Sequence, residues 1–405
     1  MHGWPARRVQ SDAASHGGGE PARDRRRRPA AQNRHRWCDQ AHRSNAVTPQ
    51  AAVRLLSLSI RNLRCVEQAE IQIPPGLCLV WGGNGSGKTS LLEAIFLLGR
   101  GRSFRTRNSE RLIRLGKDHL RVTGEIRADI GHARSIGFEI SHRETSARID
   151  GKPVESLAEL AQAFPVQVIE PGAHRLVEEG GHRRRRWMDW AVFHVEPRFI
   201  DLWMRYRRAL KQRNTALRLD PAQASAWDPE LARLGEAIAE SRRRFVTQLQ
   251  PDWRDTVAAL SGLEVELQYV QGWSSEGTLL EALRTTRARD ELRRLTHAGP
   301  HRGDVALRLH GRPAREVLSR GQQKLVAVAM TISQLRLLRD LTGTVPTLLL
   351  DDPAAELDGE RLERFIEQVA RLRCQLVVTS LHAESRLFGT PERTFRMEDG
   401  RVQSV

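Results

Sequence analysis

Lysine is nearly missing from this 405-residue chain: of 65 basic residues only Lys88, Lys117, Lys152, Lys211 and Lys324 are not arginine. That bias weakens any single arginine run as a sign of function and makes the remaining lysines more telling. Cysteine is scarce too. Cys38, Cys65, Cys78 and Cys374 share no CxxC spacing, which argues against a zinc site or a disulfide framework and fits a reduced, cytoplasmic setting. No apolar run is long enough to cross a bilayer, so no membrane role is expected. The beginning of the chain lacks the continuous apolar core of a secretory leader. There is no internal repeat and no heptad run of the length that a long coiled-coil arm needs.

What is present is ordinary globular material with a strong positive charge. The 40% hydrophobic content is enough for normal cores, and the length allows two or three domains. A net charge of +16 points to a polyanionic partner. Residues 1–52 hold ten arginines against four acidic residues, or +6 of that total, and leave +10 for the rest. With Gly17-Gly18-Gly19, Arg25-Arg26-Arg27-Arg28 and no periodicity, this extension is expected to be disordered. Three readings of it stay open: a misassigned gene start, a nucleic-acid-binding tail, and a structured segment.

The chain is organised around Gly82-Gly83-Asn84-Gly85-Ser86-Gly87-Lys88-Thr89, which fits G-x-x-x-x-G-K-[ST]. An apolar strand, Leu77-Cys78-Leu79-Val80, precedes it, and a helical stretch from Ser90 to Leu98 follows, with Gly99 as the stop. Glycines let successive backbone N–H groups turn inward on a phosphate chain, and the helix adds its positive end. Lys88 is then the cation for the β- and γ-phosphates, and the Thr89 hydroxyl is one position of a Mg²⁺ shell.

Around this loop the reading is α/β. Leu56, Leu58 and Ile60 alternate with polar residues, as do Ile71 and Ile73, and 121–130 and 136–149 read as further short strands in an antiparallel layer. Val166-Gln167-Val168-Ile169 is another strand. After it the texture turns helical: Phe199, Leu202, Tyr206, Leu210 and Leu217 form one stripe, and Leu231, Leu234, Ile238 and Phe245 form a second, with Asp228 as its N-cap and Pro229 as its first helical residue. These two helices are expected to pair antiparallel as a short arm. Thr278 and Glu281 read as a capping box for a third helix ending near Thr296.

A second set of motifs completes a nucleotide site. Leu348-Leu349-Leu350-Asp351-Asp352 has the form of a Walker B strand, with Asp351 assigned to Mg²⁺ and Asp352 to the attacking water. Leu318-Ser319-Arg320-Gly321-Gln322-Gln323-Lys324 opens a long helix whose N-terminus can hold a γ-phosphate through Ser319 Oγ and the Gly321 N–H. Glu356-Leu357-Asp358 follows, and resembles the loop that crosses the dimer interface in the ABC-type ATPase plan.

Together with Gly101-Arg102-Ser103-Phe104-Arg105, Arg184 to Asp189, Lys211-Gln212-Arg213-Asn214 and Gly299-Pro300-His301, these motifs resemble the RecF family over residues 53–405. That family comprises bacterial recombinational-repair ATPases related to SMC proteins. The resemblance implies an α/β ABC-type P-loop ATPase head, with a mixed sheet plus an antiparallel layer, formed by 53–172 and 297–405. It implies a helical arm inserted at 173–296. It also implies ATP and Mg²⁺ as cofactors, and a homodimer that closes when ATP sits between Gly82–Thr89 of one copy and Ser319, Gly321 and Gln322 of the other. Duplex DNA and single-strand/double-strand junctions, RecR, RecO and RecA are the implied partners, with weak DNA-stimulated hydrolysis in the cytoplasm. Gln167 lies where a Q-loop glutamine would follow its strand. Two departures stand out: Ser380 occupies the place of the usual switch histidine, with His382 two positions late, and Pro353 directly follows Asp352, where it stiffens the loop and bears on the water-activating role of Asp352.

Arg183 to Arg186, beside Trp187 and Trp190, and Arg205, Arg207, Arg208 and Lys211 on the arm are the candidate DNA-facing cations, with the tryptophans read as core. Two alternatives to a DNA-repair ATPase are a nucleotide-gated structural module with negligible turnover and a transporter-type ATP subunit.

Overall fold

The computed structural model describes residues 52–128, 131–142, 144–355, 357 and 359–405. The Arg-rich extension lies outside the described residues except for Ala52, and so do Glu356 and Asp358.

Two six-stranded sheets enclose the helix that follows the glycine loop. The first is antiparallel throughout, in the order Val66–Gln72, Val53–Leu63, His119–Ala128, Arg134–Ser141, Thr145–Ile149, Lys152–Pro153. The second runs Arg401–Ser404, Arg393–Glu398, Leu77–Trp81, Leu376–Ser380, Thr347–Leu350, Val166–Ile169, parallel except at the Arg401–Ser404 edge. Helix Lys88–Arg100 packs against strands of both, and Leu91, Leu92, Ala94, Ile95, Leu97 and Leu98 are fully buried. A helix covered on two sides needs apolar residues all round, which is why its sequence shows no polar stripe.

The alternation in the first strand is not the simple one expected. Its pairing with His119–Ala128 slips between Leu55 and Ser57, a bulge centred on Leu56. The bulge shifts the inward set, so Leu55, Leu58 and Ile60 are buried while Leu56 stays partly exposed.

The helical part contains Gly181–Val195, Phe199–Leu219 and Asp228–Ser261. The second and third fold back on each other across the Pro221–Trp227 turn, so that Arg213 meets Asp228 and Tyr206 meets Gly235. Asp228 does not cap its helix: its carboxylate is taken by the Arg213 guanidinium at 2.7 Å. The stretch after Thr278 has its capping box but is two helices, Leu279–Thr285 and Arg287–Arg293. Thr285 and Thr286 both donate back to carbonyls four residues earlier, competing with the helix ladder where it breaks.

Strand Glu266–Val270 pairs with Asp304–Leu309, so a third small sheet joins 173–296 to the following segment. One apolar core likewise includes Leu231, Ile238 and Phe245 together with Val328, Ile332, Leu335 and Leu350, because Asp228–Ser261 lies along helix Arg320–Thr342.

Candidate nucleotide site

The parallel sheet brings the carboxyl ends of Leu77–Trp81, Thr347–Leu350 and Val166–Ile169 to one edge, where ligands of open α/β sheets collect. The glycine loop leaves the first of these and closes on helix Lys88–Arg100. Gly87 has φ +111°, and a Cβ there would stand 2.7 Å from Met397 Cε and 3.0 Å from Cys65 Sγ. Gly82 passes so close to the Met397 carbonyl that a Cβ would meet it at 2.2 Å. Both positions require glycine for different reasons, one conformational and one steric. A Cβ at Gly83 or Gly85 would meet nothing within 4 Å, so the lip of the loop is open.

Four side chains converge inside. Lys88 Nζ donates to the carbonyls of Gly82 at 2.9 Å and Gly83 at 3.1 Å and lies 3.7 Å from Asp352. The Thr89 hydroxyl lies 3.0 and 3.1 Å from the two oxygens of Asp351. Burial raises the Asp351 carboxyl above its ordinary range, opposed by hydrogen bonds from Thr379 and Thr89 and reinforced by Asp352. A Mg²⁺ ion would relieve that burial penalty, and a hydroxyl beside one carboxylate suits an ion that keeps most of its shell as water and phosphate oxygens. The residues present therefore fit the metal.

Asp352 is held in the left-handed region at φ +44°, between Asp351 and the Pro353–Ala355 turn. Its N–H donates to Thr379 Oγ1 at 2.8 Å, and the same hydroxyl lies 3.0 Å from Asp351. Thr379 thus holds the Asp351 carboxylate and the Asp352 backbone, a role that strand periodicity alone does not reveal. Ser380, next along, accepts from the His382 N–H at 3.1 Å, and the His382 side chain is exposed.

Gln167 is not drawn into this cluster. It sits inside its strand opposite Leu348, and its amide donates to Gln334 at 3.1 Å, which in turn donates to the Trp187 carbonyl at 2.7 Å. The residue beyond the strand end is Glu170, and the Asp351 N–H donates to the preceding Ile169 carbonyl at 3.0 Å. Burial raises the Glu170 carboxyl, Arg175 and Arg183 oppose the shift, and Asp351 adds to it. Counting to the end of the strand, rather than stopping at the polar residue within it, is the signal that finds Glu170. Glu93 is likewise buried on the loop helix, bonded to Arg64 at 2.9 Å and to Ser103 of the Gly101–Arg105 motif.

Ser319, Gly321 and Gln322 lie at an exposed helix start. Ser319 Oγ accepts from the Gln322 N–H at 3.3 Å while Gln322 Oε1 accepts from the Ser319 N–H at 2.9 Å, a reciprocal capping box. The cap uses the serine oxygen as acceptor, so its hydroxyl hydrogen can still be donated outward. Among the described residues, no hydrogen bond or ion pair joins Ser319–Gln322 to Gly82–Thr89.

The basic run after Gly180 separates into different jobs. Arg184 is buried, bonded to Asp304 at 2.8 and 3.0 Å and to the carbonyls of Leu176, Val177 and Glu179. Arg185 donates to the Gly303 carbonyl at 2.6 Å. Trp187 and Trp190 are buried as expected. In the Lys211–Asn214 motif, Arg213 is buried between Asp228 and Asp290, at 2.7 and 2.8 Å, while Lys211 is exposed.

The chain matches the family described as "RecF/RecN/SMC N terminal domain" over residues 54–400. The DNA replication and repair protein RecF of Pseudomonas aeruginosa (strain LESB58) is 38% identical over 360 residues, 87% of this chain and 98% of that protein. RecF of Pseudomonas putida (strain F1) is 38% identical over 358 residues, 86% and 97% of the two chains. Among solved structures, the recombination mediator protein RecF with ATPrS, of the RecFOR pathway, superposes with a TM-score of 0.78 at 25% identity, over 88% of this chain and 99% of that one. An Smc head domain of Pyrococcus furiosus bound to the C-terminal domain of ScpA shares the fold, with a TM-score of 0.54 at 13% identity over 87% and 96%.

Proposed function

This chain belongs to the RecF/RecN/SMC N-terminal domain family, and from that premise we propose that it is a DNA-binding, ABC-type ATPase of DNA replication and recombinational gap repair. The fold is an α/β ABC-type ATPase head. In the proposal, 53–172 and 297–405 form the head and 173–296 the arm. ATP binds in Gly82–Thr89, and two copies close on duplex DNA when Ser319, Gly321 and Gln322 of one cover the terminal phosphate held by the other. Hydrolysis is slow, is stimulated by DNA, and resets the clamp. RecR and RecO are the proposed co-workers in placing RecA at single-strand gaps, with duplex DNA and its junctions as substrate. The setting is cytoplasmic; no helix among the described residues is long and apolar enough to cross a membrane.

One observation carries the chemistry: the Thr89 hydroxyl on the Asp351 carboxylate, with Lys88 held between two loop carbonyls and Asp352. When bound, Mg²⁺ supplies charge neutralisation for the phosphates. Lys88 exchanges its carbonyl partners for phosphate oxygens. Thr89 and Asp351 hold the metal position, and Asp352, fixed by Thr379, is placed to orient water. The exposed Ser319–Gln322 cap, unconnected to the loop of its own chain, supports a site shared between copies.

Sizing the full chain with ATP, with ADP and without nucleotide tests the clamp, and phosphate release with and without duplex tests the turnover. A dimer with ATP alone, and faster release on DNA, are expected. An ATP-saturated monomer indifferent to DNA would end this reading. Ser380 in the switch position favours a second one, a nucleotide-gated module with negligible turnover. Under it the ATP dimer forms but phosphate release stays at background on DNA.

A further inference from the structure

The Arg183–Arg186 run has one member whose partners the nucleotide site does not explain. Arg186 is exposed, and no carboxylate pairs with it among the described residues. Its neighbours are other arginines: desolvation, then Arg102, Arg107 and Arg183, bring its guanidinium down to about 10. Arg100, at the end of the loop helix, is lowered by desolvation and then by Arg102 and Arg186, with no acidic group opposing.

The geometry beneath is built rather than accidental. The Arg100 guanidinium lies 5.1 Å over the Trp190 ring and 5.5 Å from that of Phe96, which fixes the end of the loop helix against helix Gly181–Val195. Arg100 Nη1 and the indole N–H of Trp190 are both buried without a hydrogen-bond partner, and Trp190 is only 6% exposed. His194, 4.6 Å from Trp190 between ring centroids, is pushed down to about 3 by burial and Arg100, so it adds no charge. Exposed Arg102 and Arg107 come from the loop that follows; neither forms an ion pair among the described residues, and Arg107 is close enough to Glu179 to help Arg183 hold that carboxyl down. Arg186 lies one helical turn before Trp190, on whose ring Arg100 rests, and guanidinium groups brought together in this way are stabilised by a multivalent oxyanion, because each N–H pair matches an O–P–O edge.

We propose that Arg100, Arg102, Arg107 and Arg186 form a binding site for a phosphate group, separate from the glycine loop. The group is either a phosphodiester of a DNA backbone or a free phosphate. In the first case the site extends the DNA-binding reading; in the second it stands without it. Either source would join the end of the ATP-loop helix to helix Gly181–Val195 through one anion.

The test uses the full chain and the double variant Arg102→Gln/Arg186→Gln, both saturated with ADP and Mg²⁺ so that the glycine loop is occupied. For a phosphodiester, duplex affinity falls by about tenfold or more, and the slope of log affinity against log salt drops by about 2. For free phosphate, inorganic phosphate raises the melting temperature of the natural chain but not that of the variant. The idea is overturned when the variant matches the natural chain in both measurements. Should the variant fail to bind ADP, the natural chain alone decides: duplex or inorganic phosphate must protect Arg102 and Arg186 from phenylglyoxal, with exposed Arg61 as the control. Equal labelling with and without either ligand rules the site out.

Discussion

His301 accepts from the Tyr206 hydroxyl at Nδ1, 2.6 Å away, while its Nε2–H donates to the Thr296 carbonyl at 3.1 Å, so both nitrogens are committed to the neutral ring. Burial pushes its pKa down to about 4, helped by Arg302 and Arg185 and opposed by the Thr296 bond and Asp290. The unfolded chain takes up this proton near pH 6.5 and the folded chain only near 4, so stability is full above the higher value and declines as pH falls between them. The loss approaches about 3 kcal/mol across that window. Urea unfolding from pH 7 to 5 should therefore show a slope that His301→Asn reduces, and an unchanged slope would refute the assignment. Gln167 and Glu170 separate in the same spirit. Gln167→Leu leaves Gln334 without its partner and should cost about 1–3 kcal/mol of stability with little direct effect on hydrolysis. Glu170→Gln should do the reverse, slowing phosphate release while leaving the melting temperature nearly unchanged. Were Gln167→Leu the slower of the two at equal stability, the side chain inside the strand would regain the catalytic role.

Arg213 shows the same physics acting between elements. Its one guanidinium, 1% exposed, joins Phe199–Leu219 to the start of Asp228–Ser261 through Asp228, and to Arg287–Arg293 and the following turn through Asp290 and Thr296. Arg213→Ala strands two buried carboxylates and should destabilise the fold by about 3–5 kcal/mol, read in a denaturant midpoint. Asp290→Asn, which keeps the shape and removes one charge, should cost less; an equal or smaller effect for Arg213→Ala would mean the junction is held by packing alone. From the sequence, Lys211-Gln212-Arg213-Asn214 resembles a family motif without disclosing that its arginine is structural, since no local pattern says which distant carboxylates will surround it. Features set by local rules were legible: the strand, glycine turn and helix around Lys88, the Thr278–Glu281 box, and the buried face Leu231, Leu234, Ile238, Phe245. Features decided by a neighbouring element were not. Leu55 replaces Leu56 in the core because the bulge answers the register of His119–Ala128, and Asp228 leaves its cap because a buried cation outbids a solvated helix end. The helix expected to reach Thr296 stops at Thr285 because two adjacent threonines bond backward together.

At the scale of the whole molecule, two helix starts proposed to bind phosphate lie on one chain, yet no hydrogen bond or ion pair joins them among the described residues. Lys88 and Thr89 work inward at the carboxyl edge of the parallel sheet, whereas the Ser319–Gln322 cap faces solvent. A site completed within one chain and a site shared between two copies predict different results when damaged chains are mixed. Lys88→Ala alone and Ser319→Ala alone each spoil both sites of a shared-site dimer, so neither should form an ATP-dependent dimer of normal lifetime. Mixing them collects both defects into one site of the heterodimer and leaves the other with an intact Lys88 from one copy and an intact Ser319 from its partner. The mixture should then recover ATP-dependent dimers, detected by sizing or by energy transfer between differently labelled chains, with up to half the normal phosphate release per dimer. A site completed within one chain gives no recovery, since every chain in the mixture carries a defect of its own. The capping box adds an internal control: Ser319→Thr keeps a hydroxyl that can accept from Gln322 and donate outward, so it should retain most dimerisation. Gln322→Leu, which removes the reciprocal bond to the Ser319 N–H together with the Gln322 side chain's part in covering the partner's phosphate, should shorten dimer lifetime without abolishing nucleotide binding in Gly82–Thr89. If ATP binding by the single chain falls together with dimer lifetime in Gln322→Leu, the cap belongs to the same-chain pocket and the shared arrangement is wrong.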